Sequence, residues 1–490
     1  MNLSDDLCYR ILAARDARFD GVFFVGVKST GIYCRPVCTA KTPGRARCLF
    51  FANAALAERA GFRPCLRCRP ERAPGQAPVD SVRTVAWAAA ARIEAGALNG
   101  GGSLDELAAG LGLSSRQLRR SVRRELGVSP IELAQTSRLL LAKRLIAETQ
   151  LSMAQVAFAA GFESVRRFNA LFQKHYRLTP GELRRSSAGS ASAATLRLTI
   201  AYRPPLEWAV LLQFLAARAI PGVECVVGDT YRRTVRIGEH RGWLGVAPVA
   251  DHSLLVIDLS TSLAPVLPAL LVRLRSLLDL DARPDVISSH LAQDPQLAES
   301  IRLRPGLRVP GAFDPFEIGV RAILGQQVSV RGASTLAGRF ARHFGESIET
   351  PIAGLTHLAP TAESLATSDI ATIAEQGIPK ARAESLHRLA FAVAGGEIDL
   401  EPGVDPQATM ARLQELPGIG PWTAQYLALR ILRWPDAFPA GDLGLAKAMG
   451  LKSARAMEQA AEGWRPWRAY AAMHLWESLK TPAPSARSGD

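Results

Sequence analysis

No stretch of this 490-residue chain strings together the ~20 apolar residues that a membrane-spanning helix needs, and nothing at its N-terminus reads as a targeting segment. No membrane partner is expected, and the expected location is the cytoplasm. Cysteine is scarce, with seven residues and none after Cys225. That scarcity argues against a disulfide-built secreted scaffold. It also leaves the second half of the chain without the thiolates that hold an iron–sulfur cluster. Charge of one sign is missing from most of the chain. The net +14 arises in the first 186 residues: residues 1–80 carry 13 Lys/Arg against 7 Asp/Glu, residues 81–186 carry 16 against 8, and residues 187–490 carry 30 against 30. The front part should therefore supply long-range attraction to a polyanion, while the rest relies on local contacts.

A chain of this length suits about three or four domains. ERAPGQAPVD (71–80) and RRSSAGSASAAT (184–195) have the Pro/Gly/Ala and Ser/Ala/Gly composition of linkers, and the tail TPAPSARSGD (481–490) reads as disordered.

Four of the seven cysteines form a pattern, Cys34-x3-Cys38 followed by Cys65-x2-Cys68. This spacing can gather four thiolates around one tetrahedral Zn2+ ion. Two disulfides could use the same residues. The lack of a secretory signal and the scattering of Cys8, Cys48 and Cys225 argue against them. Cys48 reads as buried apolar filler in the RCLFF strand, and Cys225, in VECVV, reads as core. Arg35, Lys41, Arg45, Arg47 and Arg63 surround the pattern and are candidate phosphate contacts.

The blocks TGIYCRPVC and AGFRPCLRC, at this spacing, resemble the N-terminal domain of the Ada regulators of the alkylation response. The resemblance covers about the first 72 residues. It implies one zinc bound by four cysteines, with Cys34 accepting a methyl group from a methylated DNA phosphate and Cys38, Cys65 and Cys68 serving as plain ligands. Four thiolates on one Zn2+ carry a formal charge of minus two. Methylating one would lower repulsion of DNA, whose phosphates dominate protein affinity.

Between the linkers the chain repeats itself: LDELAAGLGLSSRQLRRSVRRELGVSP, then MAQVAFAAGFESVRRFNALFQKHYRLTP. Each copy reads as a short apolar helix, a turn at Gly112 or Gly161, and a second helix starting near Ser115 or Ser164, both suitable N-caps. Leu118, Val122 and Leu126, and then Phe168 and Phe172, should face inward. Arg116, Gln117, Arg119 and Arg120, and then Arg166, Arg167 and Asn169, should face out. Such side chains on a second helix can read base edges in a major groove. The repeat, joined by a long helix over 131–148, resembles the DNA-binding domain of the AraC family.

LQELPGIGPWTAQYLALRIL (413–432) has the form of a helix-hairpin-helix, in which Gly418 and Gly420 let the turn approach a phosphate backbone. Asp442 follows Gly420 by 22 residues and opens a helix, a position that by itself suits an N-cap. Together the hairpin and the downstream Asp resemble the helix-hairpin-helix DNA glycosylases, and from about Leu196 to Lys480 the chain is most similar to the AlkA 3-methyladenine glycosylases. The resemblance implies that Asp442 is the catalytic carboxylate and that Trp422, Tyr426 and Trp476 line the base pocket. Gln327 then stands where the wedge into the duplex belongs, and Leu443 where a pocket aromatic is expected. Lyase members carry a lysine at the position of Trp422, so a monofunctional enzyme without strand cleavage is expected. The absence of cysteine after Cys225 excludes the iron–sulfur cluster of some relatives. Trp464 and Trp467 read as core. The second methyltransferase of Ada, with its P-C-H-R nucleophile, is missing from this chain.

The expected fold is multidomain and mainly α with α+β parts: a four-cysteine zinc domain (1–72), a double helix-turn-helix (83–185), a small α+β subdomain (196–280) and an all-helical helix-hairpin-helix glycosylase core (281–480). The expected function joins methylphosphotriester sensing, transcriptional regulation and release of alkylated bases such as 3-methyladenine. The alternative is a regulator whose glycosylase part is inactive and only binds DNA. Expected partners are damaged and promoter double-stranded DNA and RNA polymerase, with the chain acting as a monomer at the nucleoid.

Overall fold

After an opening helix, Asp5–Ala14, four short strands form the first sheet: β1 (Phe24–Val27), β2 (Ile32–Cys34), β3 (Cys48–Phe51) and β4 (Arg63–Pro64), in the order β3-β1-β2-β4. β1 is antiparallel to both neighbours, with Val25 opposite Cys34 on one side and Phe50 on the other. Gly26 is needed at the centre, because a Cβ there would lie 2.7 Å from the Phe51 ring and 3.0 Å from that of Phe62. The parallel pairing of β2 with β4 sets Tyr33 beside Pro64 and so brings Cys34 and Cys65 to the same end of the sheet. Cys48 is buried in β3.

The computed structural model describes residues 3–75, 85–185, 195–401 and 403–480. Much of the expected linkers and the whole tail 481–490 lie outside the described residues. The start of the first linker is not loose: the Glu71 side chain is buried against Lys143 (2.5 Å), and the Gly75 amide donates to Asp281 (2.9 Å).

The repeat folds as two helix pairs, Leu104–Ala109 with Ser115–Leu126 and Met153–Ala159 with Val165–Tyr176, joined by the helix Pro130–Glu148. Gly112 (φ 68°) and Gly161 (φ 91°) make the turns. Reciprocal capping boxes at Ser103/Glu106, Ser114/Gln117, Ser129/Glu132 and Ser152/Gln155 satisfy helix-start amides that would otherwise lack partners. The first recognition helix is thus capped by Ser114 rather than Ser115, whose hydroxyl donates to Asp105. Leu118, Val122, Phe168 and Phe172 are wholly buried.

The next part pairs β5 (Thr195–Ala201), β6 (Glu224–Val227), β7 (Thr230–Ile237), β8 (His240–Pro248) and β9 (Leu254–Ser260) in one antiparallel sheet of order β5-β9-β8-β7-β6. Cys225 sits on the edge strand β6 and is half-buried, not in the core as its apolar surroundings suggest. Helices then follow to Ser478, with Trp464 and Trp467 in the core. Among the described residues no helix is long and apolar enough to cross a membrane.

The parts do not hang as separate beads. The second helix pair shares one apolar cluster with the sheet and helices that follow it, while the first pair forms its own with Ala55 of the helix Ala54–Arg59 in the cysteine-bearing part. Buried charges complete the junction. Arg203 donates to the carbonyls of Asp20 (2.9 Å), Asp281 (2.6 Å) and Gly75 (2.6 Å). Glu148 bridges Arg69 (2.8 Å) and Arg72 (2.7 Å) to the Thr199 amide (3.0 Å) of β5. Charged groups out of water require this degree of pairing.

Candidate functional site

At the open end of the first sheet the sulfurs of Cys34, Cys38, Cys65 and Cys68 all lie within 4.8 Å of one another. Amides aim at them: Arg35 N–H at the Cys68 sulfur (3.3 Å) and Arg67 N–H at that of Cys65 (3.4 Å). Thiolates this close repel one another strongly. Such a cluster cannot hold four thiolates without a cation between them, and four sulfurs at this separation fit a tetrahedral divalent ion.

Only part of the expected basic rim faces solvent. Lys41 and Arg47 are exposed and Arg63 half-exposed. Arg45 is paired with Asp5 (3.3 Å) and Asp6 (3.1 Å). Arg35 is no phosphate contact: it is buried, its Nε donates to Asp20 (2.8 Å) and its Nη1 to the Cys68 carbonyl (3.0 Å). It is a strut behind the cluster, because a buried guanidinium settles on the nearest carboxylate. Lys143, from the helix Pro130–Glu148, donates to the carbonyl of Cys65 (3.3 Å), so the helix-turn-helix part is hydrogen-bonded to the backbone of a cluster residue.

On the recognition helices Arg116, Gln117, Arg119, Arg120, Arg166, Arg167 and Asn169 are all exposed. The Gln117 carbonyl oxygen is already engaged by the Ser114 amide (2.9 Å), which leaves its amide nitrogen as the free polar group.

The third site lies at the hairpin. Gly418 (φ 83°) makes the turn, and a Cβ there would lie 2.2 Å from Ser385 Oγ. Gly420 caps the helix Pro421–Arg430 without a side-chain hydrogen bond, so the helix-start amides beyond Pro421 take no side-chain cap. Asp442 caps the helix Leu443–Met449 through the Leu445 amide (3.0 Å to Oδ1). Two indoles hold the same carboxylate: Trp476 Nε1 donates to Oδ1 (2.9 Å) and Trp422 Nε1 to Oδ2 (3.2 Å). Donors on both oxygens suit an ionised carboxylate. Trp422 and Tyr426 stack with ring centroids 5.4 Å apart and planes 6° from parallel. Asp442, Trp422, Tyr426 and Trp476 thus line one cavity of about 420 Å³.

Gln327 stands exposed at the tip of the turn between the helices Pro315–Leu324 and Val330–Phe344, with φ 57°. Its neighbour Gln326 ties that turn to the hairpin through the Gly418 carbonyl (2.8 Å). Leu443 does not line the cavity. It points outward with 87 % of its surface exposed. Residues that the sequence reading passed over also line the cavity: Phe214, Arg218, Arg321 and Arg430. Arg430 follows Tyr426 by four positions and could have been found from helical spacing. Phe214, Arg218 and Arg321 arrive from other helices, and no local pattern signals them.

Family comparison matches residues 7–71 to the metal binding domain of Ada, 107–186 to a helix-turn-helix domain, 195–314 to the AlkA N-terminal domain and 320–465 to the HhH-GPD superfamily of base excision DNA repair proteins. Over 490 residues the chain is 41 % identical to the probable bifunctional transcriptional activator/DNA repair enzyme AlkA of Mycobacterium tuberculosis, covering 97 % of this chain and 96 % of that protein. It is 38 % identical to DNA-3-methyladenine glycosylase 2 of Escherichia coli over 278 residues, 57 % of this chain and 96 % of that one. It is 49 % identical to the bifunctional transcriptional activator/DNA repair enzyme Ada of Escherichia coli over 74 residues, 15 % of this chain and 21 % of that one. Among solved structures the 3-methyladenine DNA glycosylase of Archaeoglobus fulgidus shares the fold, with TM-score 0.51 and 21 % identity over 58 % of this chain and 98 % of that one.

Proposed function

The chain belongs to the family of bifunctional transcriptional activators and DNA repair enzymes in which an Ada-type metal-binding domain and a helix-turn-helix domain precede an AlkA-type glycosylase, and from that membership we propose how its own residues divide the work. DNA is the common partner of all three parts, and release of alkylated bases is the repair reaction.

Asp442 is the catalytic carboxylate. As the bond from C1′ to the damaged base breaks, the electron pair leaves with the base and the sugar takes on oxocarbenium character. The Asp442 charge, fixed by Trp476, Trp422 and the Leu445 amide, faces that developing cation without having to reorganise, and it orients the water that adds at C1′. Trp422, Tyr426 and Trp476 offer electron-rich faces to the flipped, electron-poor base. Gln327 would fill the gap in the duplex, and the amides that follow Pro421 at the start of its helix would hold a backbone phosphate. Position 422 carries no amine for a Schiff base, and the lysine at the cavity edge, Lys480, is paired with Glu477 (2.6 Å). The enzyme therefore stops at the abasic site, and it uses no iron–sulfur cluster. The indole-bracketed Asp442 is the observation that carries this reading. Incubating the full chain with methylated duplex DNA tests it: free 3-methyladenine, with strands uncut until alkali is added, is expected. DNA binding with no free base would favour a regulator whose glycosylase part only binds.

Cys34 is the methyl acceptor. It ends β2 and keeps 9 % of its surface exposed. A zinc ion held by Cys34, Cys38, Cys65 and Cys68 keeps the sulfurs as thiolates at neutral pH. The Cys34 sulfur forms a bond to the methyl carbon of a phosphotriester as the C–O bond breaks, and the phosphate leaves as a diester anion. Lys41 and Arg63 are candidate contacts to that phosphate, with Arg45 available once it leaves Asp5 and Asp6. Arg116, Gln117, Arg120, Arg166, Arg167 and Asn169 would read promoter DNA. As an activator the chain would engage RNA polymerase, acting as a monomer on the bacterial nucleoid in the cytoplasm.

A further inference from the structure

The base cavity runs from Asp442 to a floor built of arginine. The helix Pro421–Arg430 supplies one wall, with Trp422, Tyr426 and Arg430 at four-residue spacing, so their side chains stand in file. At 1.5 Å per residue Arg430 lies about 12 Å beyond Trp422 along that helix. Trp422 bonds to Asp442, whereas Arg430 Nη1 donates to the Tyr426 hydroxyl (2.8 Å), so carboxylate and guanidinium mark opposite ends. Arg430 is anchored from behind by the carbonyls of Pro310 (2.5 Å) and Gly311 (3.2 Å) and serves as scaffold. Arg218 arrives from the helix Trp208–Arg218 and lies 3.8 Å over the Phe214 ring, and its charge acts on the Tyr426 hydroxyl. Arg321 lies beneath, donating to the Arg218 carbonyl and to Ser334 Oγ (3.0 Å). The second carboxylate among the described lining residues, Glu477, is paired with Lys480 (2.6 Å) and Arg304 (3.8 Å).

A nucleotide reacting at Asp442 has its glycosidic bond there, so the far edge of its base points toward Arg218 and Tyr426. In a purine that edge carries the substituent at position six, a carbonyl oxygen in guanine and hypoxanthine and an amino group in adenine. A guanidinium offers donors and no acceptor. The Tyr426 oxygen already accepts from Arg430, so its own proton is free to point into the cavity. Burial opposes ionisation of this hydroxyl, yet the charges of Arg430, Arg218 and Arg321 hold its pKa below the ordinary tyrosine value, which makes it a stronger donor.

We propose that Arg218 is a specificity-determining residue of the glycosylase: with Tyr426 it forms a donor-only floor that favours damaged bases bearing a carbonyl on the edge opposite the glycosidic bond over those bearing an amino group there. The inference rests on the reading of Asp442 as the catalytic carboxylate.

DNA treated with a methylating agent contains 3-methylguanine and 3-methyladenine, which share the methyl position and the positive charge but differ at position six and in the 2-amino group of guanine; the change in their ratio on substituting Arg218 isolates the position-six term. Single-turnover release of both by the full chain gives a rate ratio. Arg218→Met keeps an apolar chain on Phe214 but has no donor, and the ratio of 3-methylguanine to 3-methyladenine should fall about tenfold, the size of a lost bond to a charged group. Arg218→Lys, which restores a charged donor, should recover part of it. A ratio in Arg218→Met within about twofold of wild type overturns the proposal. A second measurement needs no variant: free hypoxanthine should quench the pocket indole fluorescence of the wild type at lower concentration than free adenine, and equal or reversed affinities overturn the floor. A wild type that prefers hypoxanthine but releases neither methylated base would instead strike the reading of Asp442.

Discussion

Trp476 and Asp442 meet through one hydrogen bond, indole N–H to Oδ1 at 2.9 Å, and this bond joins the closing helix Arg468–Ser478 to the helix that Asp442 begins. Its counterpart from Trp422 comes from the hairpin. The carboxylate is therefore held by three separate helices, and its orientation is set by packing rather than by the loop before it. Gly444 belongs to the same arrangement, since a Cβ there would lie 3.0 Å from Asp442 Oδ1 and 3.1 Å from the Trp476 ring.

Asp442→Asn should retain the fold, because Asn also caps helices, but its amide would face an indole N–H where a carboxylate oxygen now accepts. Base release should drop by ~10²–10³-fold or more with DNA affinity little changed, since the charge acts on the transition state. Single-turnover release of 3-methyladenine checks this. Wild-type rates in the variant would remove the carboxylate from the mechanism.

The metal-binding part should contain one zinc per chain by elemental analysis, and Cys38→Ala, Cys65→Ala or Cys68→Ala should lose both the metal and the folded domain. Because Lys143 donates to the Cys65 carbonyl, these changes should also raise protease sensitivity in the helix-turn-helix part. Disulfides without metal in protein purified under reducing, metal-replete conditions would falsify the zinc site.

Exposure to DNA carrying methylphosphotriesters should add one methyl group, located by peptide mass spectrometry on Cys34. Promoter affinity should then rise, and the gain should shrink as salt increases, because it comes from reduced charge repulsion. Methylated Cys34 with unchanged affinity would leave the transfer standing and remove the switch.

Arg203→Ala should open the junction between the zinc domain and the glycosylase part. It empties a fully buried site and leaves three carbonyls, of Asp20, Asp281 and Gly75, without their donor, at a cost of about 3 kcal/mol or more. Limited proteolysis should release the front of the chain faster, and the melting transition should broaden or split. A single unshifted transition would show that Arg203 carries no weight in the junction.

Glu58 should make that part of the molecule pH-sensitive. It accepts from Tyr33 (3.1 Å) and Thr136 (2.8 Å), near His175 and Lys143, and burial raises its pKa from 4.5 to about 7 against the pull of those partners. A carboxyl raised in the folded state binds its proton more tightly there, so its contribution is fully present below pH 4.5 and is lost as pH rises through about 7. Glu58→Gln, which mimics the protonated form, should match the wild type near pH 5 and melt several degrees higher near pH 8. Equal melting temperatures at both pH values would remove Glu58 as the cause.

The elements, and the places where chemistry could sit, were legible in the amino-acid order. The cysteine spacing, the repeated helix pairs, the hairpin glycines and the apolar faces of Leu118, Val122, Phe168 and Phe172 are local or periodic signals. They are written in neighbouring residues and need no knowledge of distant contacts. Which charges are free was not written there. Arg35 and Arg45 look alike in sequence as basic residues beside cysteines, yet Asp20 buries one and Asp5 and Asp6 engage the other. Cys225 looks like core and lies on an edge strand, and Leu443, in a pocket position by resemblance, points to solvent. Long-range packing settles these, together with the Arg218 floor of the cavity and the Arg203 clamp on Asp20. A buried charge takes whichever partner the packed chain brings within reach, and here that partner can be 183 residues away.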